Sequence, residues 1–412
     1  MKYKHPHDLN VLLLEGIHDS AHKTLSEFGF KHIHSLPTAL SEAELIHTLN
    51  SKDIALVGIR SRTQINKTIL EQAPSLKGIG CFCIGTNQID LAFATTSGIP
   101  VFNAPHANTR SVAELVIGLS IMLLRQIFPK NQAAHQGAWL KAATGCHEIR
   151  GKTLGIIGYG HIGSQVSVLA ESLGMHVIYY DTLAKLPLGN AKQVPSLAAL
   201  LQTADIISLH VPESEETRYL IAEHEIGQMK PDAILINASR GHVVDIDALA
   251  AALAGNELKG AALDVFPIEP ESNIQPFQSP LQGLDNVILT PHIGGSTEEA
   301  QLNIGTEVAA KFIQFARYGH TQGSVNFPLL QLSPHPKAQR ILHIHKNIPG
   351  ILGQINHVLA EHSINIVGQS LETFQGIGAV LLDIEPATNQ QILINLKAIE
   401  GTIKLRAILK SL

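Results

Sequence analysis

The stretch from Thr153 to Asp181 constrains this chain more than any other. Thr153-Leu154-Gly155-Ile156-Ile157 reads as a short strand buried on both faces, as in a parallel sheet. It runs into Gly158-Tyr159-Gly160-His161-Ile162-Gly163 and then into a helical segment ending near Leu173. His176 to Tyr180 forms a second strand, closed by Asp181. Strand, glycine-rich turn, helix, strand and terminal acid, in that order, is a dinucleotide-binding unit. Gly158 permits the tight turn, Gly160 lets backbone approach a pyrophosphate, and Gly163 lets the helix settle on the sheet. The diphosphate then faces the orphan N–H groups and the positive dipole end of that helix. Asp181 accepts hydrogen bonds from ribose hydroxyls and repels a 2′-phosphate, so the expected cofactor is NAD rather than NADP.

A chain of 412 residues is too long for one ordinary core, and two or three domains are expected. A net charge of −5, with no segment that gathers Lys and Arg, argues against a nucleic-acid partner. Met1 to Leu9 is polar, unlike a signal peptide, and apolar runs stop well short of the roughly 18 residues of a membrane span. Three cysteines suit a reducing compartment, and Cys81 and Cys83, flanking Phe82, read as core thiols. Together these features predict a soluble cytoplasmic protein.

Ahead of the dinucleotide unit, strands Asn10–Leu14, Ile54–Ile59, Gly78–Cys83 and Val101–Phe102 alternate with helices. Those helices are Asp19–Phe28, one capped by Ser41 and Glu44, and one from about Asn66. This is an α/β domain in its own right. Ser111 to Arg125 is apolar nearly all round, the mark of a helix buried between domains. After the fingerprint, strands Asp205–His210, Ala233–Asn237, Gly260–Asp264 and Asn286–Thr290 alternate with helices Glu215–Gln228 and Asp247–Leu253, which predicts a doubly wound parallel sheet. The long helix Thr297–Tyr318 is expected to return to the first domain. The resulting division is residues 1–107 with 297–320 for a discontinuous substrate domain, and 108–296 for the NAD domain. A Gly- and Pro-rich linker spans 321–338, and a last domain spans 339–412. In that last domain, strand Ile341–His345, helix Gly350–His362, strands Ile364–Glu372 and Gly378–Glu385, helix Gln390–Ala398 and strand Thr402–Leu409 give a β-α-β-β-α-β, ferredoxin-like order. It carries no catalytic constellation. The fold class is therefore α/β, with two doubly wound parallel-sheet domains and a C-terminal ferredoxin-like domain.

Ligands in open α/β sheets sit beyond the carboxyl ends of the strands. Those positions hold Arg60, Asn237-Ala238-Ser239-Arg240, Asp264 and His292. Hydride transfer between a nicotinamide and a 2-hydroxy acid needs a group that takes or gives the hydroxyl proton near neutrality. A histidine beside a carboxylate fills that role. The reaction also needs a planar cation that grips the substrate carboxylate bidentately, for which arginine is suited.

Four ordered motifs carry a resemblance to a known family: the fingerprint, Asn237-Ala238-Ser239-Arg240-Gly241, Asp264-Val265-Phe266 with Glu269-Pro270, and Pro291-His292-Ile293-Gly294-Gly295-Ser296. The chain resembles the D-2-hydroxyacid dehydrogenases, and among them those with a C-terminal ACT domain. The resemblance implies that Arg240 anchors the substrate carboxylate, that His292 is the general acid/base and that Glu269 is its partner. It implies cofactor contacts at Gly158, Gly160, His161, Ile162, Gly163, Asp181, Ala238, Ser239, Arg240, Asp264 and His292. Arg60, Ser61 and Arg62 look like the site for a substrate carboxylate and phosphate, Asn108 like a further substrate contact, and Lys141 like an added phosphate charge. The implied reaction is oxidation of 3-phospho-D-glycerate to 3-phosphohydroxypyruvate. The alternatives are a dehydrogenase for another 2-hydroxy diacid such as 2-hydroxyglutarate, and a non-catalytic NAD sensor. In the tail, His345, Asn347 and Asn365 match positions that bind L-serine at a subunit interface in tetrameric members. Ile348-Pro349-Gly350 keeps the family's turn there but lacks its usual Arg. No metal is implied.

Overall fold

Runs of Val, Ile and Leu bounded by glycine and short polar turns fold here as strands covered on both faces. The computed structural model describes residues 5–270, 275–385 and 390–408. Met1–Lys4 of the opening segment and Leu409 of the last expected strand lie outside the described residues. The chain divides into two compact units, one of Met1–Ala107 with Gln301–Leu412 and one of Asn108–Ala300.

The second unit is built on seven parallel strands. Their spatial order is Val287–Leu289, Gly260–Leu263, Ile234–Asn237, Ile206–Leu209, Thr153–Ile157, His176–Tyr180, Lys192–Gln193. The order reverses beside the fingerprint strand, between Thr153–Ile157 and Ile206–Leu209, which opens the crevice where such sheets bind dinucleotides. Helix Thr109–Leu124 places Val112, Ala113, Val116, Leu119 and Leu123 in the core beneath this sheet. Among the described residues no single helix is long and apolar enough to cross a membrane. Thr109–Leu124 and Ile127–His135 pass by length and composition only as a pair bent by 68°.

One expectation for this unit is corrected. Glu215–Gln228 is not one helix, and only Glu223–Ile226 is helical. Ser214 and Thr217 satisfy the preceding backbone locally instead, with Ser214 N–H donating to Thr217 Oγ1 (2.9 Å) and Thr217 Oγ1 donating to the Pro212 carbonyl (2.7 Å). Such side-chain bonds compete with helix, and Tyr219 then turns the chain at φ 50°. A further helix, Ile127–His135, was not anticipated. It is separated from its predecessor by Gln126 in the left-handed region (φ 51°).

The first unit holds five parallel strands in the order His32–Ser35, Asn10–Leu13, Ile54–Ile59, Gly78–Cys81, Val101–Phe102. The edge strand His32–Ser35 is polar and part-exposed, which is why its pattern did not read as a strand. Helix Glu298–Tyr318 brings Val308, Phe312 and Phe315 against Phe82 and Phe102. The 321–338 linker is tied to the edge of this sheet. Asn326 Oδ1 accepts the Val101 N–H (2.8 Å), its Nδ2 donates to the Ile99 carbonyl (3.0 Å), and Phe327 and Leu330 are buried. Polar turn residues here pair with a sheet edge rather than with water, so a composition that signals flexibility is compatible with a tied segment.

The tail's four antiparallel strands lie in the order Asn365–Phe374, Ile377–Glu385, Gln339–Lys346, Thr402–Ile408. Helices Ile351–Glu361 and Gln390–Lys397 cover one face, with Ile351, Ile355, Leu359, Leu393 and Leu396 in that core. The opposite face packs on the long helix of the same unit, since Leu342, Ile344 and Leu381 share a core with Phe312 and Phe315. Arg406 donates to the Phe315 carbonyl (3.1 Å) and to that of Ala316, while Arg340 donates to that of Tyr318 (3.3 Å). Two cations thus meet the C-terminal carbonyls of the long helix, where its dipole is negative.

Candidate active site

The crevice of the second unit is shaped by the glycines of the fingerprint. Gly158 has φ 90°, and a Cβ on Gly163 would overlap the Gly158 carbonyl, so both positions require glycine. A Cβ on Gly160 meets nothing within 4 Å, which leaves its side of the turn open to a ligand. Gly160 is the N-cap of helix His161–Ser172 and supplies no side chain to cap it. Open backbone at a helix N-terminus fits a diphosphate. Asp181 is half-buried at the end of His176–Tyr180. Its Oδ2 accepts the Tyr159 N–H (2.9 Å) and its Oδ1 the Leu183 N–H (2.9 Å). Each carboxylate oxygen has a second lone pair, so hydroxyl donors of a ribose can still be accepted. These residues fit NAD.

His210, just past the end of Ile206–Leu209 across the same crevice, was not singled out in the sequence. Its Nε2 pairs with Ser208 Oγ (2.8 Å), and Nδ1 is buried with no partner among the described residues. Burial pushes its pKa down to about 3, so the ring is neutral at physiological pH. The signal that marks it is its place one residue beyond a strand's carboxyl end.

Three turns of this unit lie against one another around Glu269 and His292. In the first, Asn237 Oδ1 accepts both the N–H (3.0 Å) and the Oγ–H (2.8 Å) of Ser239, and its Nδ2 donates to the Arg240 carbonyl (2.9 Å). This side-chain-to-backbone bonding fixes the Ala238-Ser239-Arg240 turn. Arg240 Nη1 donates to the Ser239 carbonyl (2.6 Å), one of its five donors, and leaves the rest of the fork. A Cβ on Gly241 would overlap the Phe266 backbone, so that turn lies directly against the second one.

In the second turn, Glu269 Oε1 accepts the Phe266 N–H (3.1 Å) and Oε2 bonds His292 Nδ1 (2.8 Å). Burial acts to raise the Glu269 pKa, but the bond and charge of His292, the Phe266 N–H and Arg240 together hold it below the ordinary value. The hydrogen bond to Glu269 raises that of His292 above its usual value. Burial opposes this, the charges of Glu269 and Asp264 add to it, and Arg240 lowers it. In the third turn His292 stands at φ 54°, an uncommon conformation for a residue with a Cβ. The buried Asp264 carboxylate holds it there. Oδ1 accepts Thr290 Oγ1–H (2.6 Å) and Ile293 N–H (2.8 Å), and Oδ2 accepts Gly294 N–H (2.8 Å). This anchoring of the His292 turn was not legible in the sequence. A Cβ on Gly295 would strike Asn108 Nδ2, so Asn108 lies beside the same turn. Its Oδ1 is buried without a partner among the described residues.

With Nδ1 engaged by a carboxylate, a neutral His292 presents Nε2 as an acceptor, and a charged one presents it as a donor. Lys141 is exposed on an irregular stretch of this unit, and Arg60 (half-buried), Ser61 and Arg62 (exposed) follow strand Ile54–Ile59 of the first. In the tail, His345 is buried, with Nδ1 bonded to the Lys346 carbonyl (2.9 Å) and Nε2 unpartnered among the described residues. Asn347 and Asn365 are exposed at opposite ends of the sheet. The Asn347 N–H donates to Gly376, whereas Asn365 pairs with Glu385. At about 3.3 Å per residue, roughly 30 Å of strand separates them.

Residues 117–294 match the family described as D-isomer specific 2-hydroxyacid dehydrogenase, NAD binding domain, and residues 341–404 match AHAS small subunit-like ACT domain. The chain is 54% identical to D-3-phosphoglycerate dehydrogenase of Haemophilus influenzae over 400 residues, covering 97% of each chain. It is 51% identical to the Escherichia coli K12 enzyme of the same name, again covering 97% of each. It also resembles the crystal structure of a D-lactate dehydrogenase from Aquifex aeolicus complexed with NAD and lactic acid. That match has a TM-score of 0.64 and 28% identity, covering 74% of this chain and 95% of that one.

Proposed function

The chain belongs to the D-3-phosphoglycerate dehydrogenase family and is an NAD-dependent dehydrogenase, and from that premise we propose how it oxidises 3-phospho-D-glycerate to 3-phosphohydroxypyruvate, the entry to L-serine synthesis. The observation that carries the proposal is the 2.8 Å bond between His292 Nδ1 and Glu269 Oε2 beside the Arg240 turn. Gly158, Gly160, His161, Ile162, Gly163, Asp181, Ala238, Ser239, Arg240, Asp264 and His292 would hold NAD, which would supply the hydride acceptor. His292 Nε2 takes the C2 hydroxyl proton as the hydride leaves C2. Glu269 keeps the ring in the tautomer that allows this and stabilises the imidazolium that results. The remaining donors of Arg240 hold the substrate carboxylate and the 2-oxygen. Asp264 acts on this chemistry through the turn that carries His292. Arg60, Arg62 and Lys141 neutralise the phosphate, Ser61 donates a hydrogen bond to it, and Asn108 Oδ1 contacts substrate.

The tail binds L-serine through His345, Asn347 and Asn365. Asn347 and Asn365 stand at opposite ends of one sheet, which supports a site completed by the Asn365 of a second copy and so a homo-oligomer; a tetramer in the cytoplasm is the assembly proposed. The test follows NADH formation by the purified protein with 3-phospho-D-glycerate, D-2-hydroxyglutarate and D-lactate. The highest kcat/KM is expected for the phosphorylated acid, with a loss in kcat of about 10²- to 10⁴-fold in His292→Ala. A higher kcat/KM for D-2-hydroxyglutarate overturns the substrate assignment, and unchanged turnover in His292→Ala overturns the mechanism.

A further inference from the structure

A buried acid stands directly behind the Arg60–Arg62 loop. Glu15 lies just beyond strand Asn10–Leu13 and is only 9% exposed. Its Oε1 accepts the N–H groups of Arg60 (3.1 Å) and Thr63 (2.9 Å), and its Oε2 accepts that of Arg62 (3.0 Å). Three of the four amides from 60 to 63 thus converge on one carboxylate. The Arg60 carbonyl is held as well, since Gln88, 8% exposed, donates to it from Nε2 at 2.6 Å. Glu15 itself stands at φ 62°, with its N–H donating to the Thr38 carbonyl (3.2 Å) and that of Gly16 to the Leu36 carbonyl (3.1 Å). A non-glycine residue stays in that region only where its surroundings determine it.

A run of backbone N–H groups facing one point is itself a site for anions. In this loop that place is taken by the protein's own carboxylate. Its charge is met by three donors, and an external anion is left with the side chains rather than the backbone. Arginine recognition depends on the direction of a planar fork, so the backbone that launches the fork has to be fixed.

We propose that Glu15, with Gln88, is a positioning residue for anion recognition: it occupies the amides of the 60–63 loop and fixes the backbone from which the Arg60 and Arg62 guanidinium groups reach the substrate's phosphate. This rests on the reading of Arg60 and Arg62 as phosphate anchors. Glu15→Gln sets an amide N–H against backbone N–H donors and releases the loop. Gln88→Met removes the donor to the Arg60 carbonyl, along with its longer contacts to the Gly85 carbonyl (3.4 Å) and Cys83 Sγ (3.5 Å), and keeps the size of the side chain.

The experiment measures KM and kcat of the full chain with 3-phosphohydroxypyruvate and with hydroxypyruvate, which differ only in the phosphoryl group, together with the NADH Kd and Tm. The variants are Glu15→Gln, Gln88→Met, Arg60→Ala and Arg62→Ala. Loss of an oriented, charge-assisted contact is worth about tenfold or more. KM for 3-phosphohydroxypyruvate is therefore expected to rise at least about tenfold more than KM for hydroxypyruvate in Glu15→Gln, with a smaller change of the same sense in Gln88→Met. A purely structural role moves both substrates in parallel along with Tm, and that result overturns the proposal. If Glu15→Gln does not fold, Gln88→Met decides, and an unchanged ratio of the two KM values in it counts against the proposal. An unchanged ratio in both arginine variants removes the premise and the proposal with it. Raised ratios in the arginine variants alone leave the phosphate reading standing and overturn only the role of Glu15.

Discussion

Replacing Asp264 by Asn tests whether the His292 turn is held from below. The wild-type carboxylate accepts three donors at 2.6, 2.8 and 2.8 Å in a site that is 1% exposed. The Asn carbonyl oxygen retains two lone pairs and keeps at most two of them, and the amide group then faces the third donor. The loss is about one hydrogen bond to a charged group plus one buried donor left unsatisfied, roughly 2 to 4 kcal/mol in all. For a unit of this size that lowers Tm by about 5 to 15 °C. Because His292 is kept at φ 54° by this anchoring, kcat should fall at least about tenfold. Thr290→Val removes one donor of the three and should cost about 1 kcal/mol. Calorimetry and initial rates on the two variants provide the check. Wild-type Tm and kcat in Asp264→Asn refute the reasoning.

Asp181→Ala should weaken NAD binding and narrow the preference for NAD over NADP, measured as the ratio of the two kcat/KM values, because the acid that repels a 2′-phosphate and ties down Tyr159 is gone. L-serine should slow the full-length protein, and Asn347→Ala or Asn365→Ala should relieve that inhibition without changing the uninhibited rate. A serine titration of initial rate reads both, and a full-length protein that serine neither binds nor slows contradicts the effector assignment.

Local chemistry was legible in the sequence. The fingerprint announces its strand, turn and helix because glycines at fixed offsets have few other uses, and the buried strands announce themselves by unbroken apolar runs. The Glu269–His292 contact spans 23 residues, and the family resemblance carried by the ordered motifs named its two members. What stayed hidden is bonding between a side chain and a distant backbone. Nothing near Glu15 in sequence shows that it accepts the amides of Arg60, Arg62 and Thr63, and nothing near Asp264 shows that it holds the turn at Thr290–Gly294. The docking of the 321–338 linker was hidden for a related reason: Ser324 and Asn326 are turn formers by composition, yet here they bond the edge of a sheet more than 220 residues away. Glu215–Gln228 failed because helix-compatible residues were overruled by the hydroxyl of Thr217.

The central claim is that His292, tuned by Glu269, carries the proton, and the pH dependence of kcat/KM in wild type and Glu269→Gln tests it most directly. Oxidation requires a neutral His292, so its rate rises as pH climbs through the His292 pKa. Reduction requires the charged ring, so its rate falls through the same ionisation. The Glu269 hydrogen bond and charge raise that pKa, and removing the charge lowers it. Both limbs should therefore move to lower pH in Glu269→Gln, with reduction lost first near neutrality. Limbs that stay in place, or move to higher pH, contradict the account.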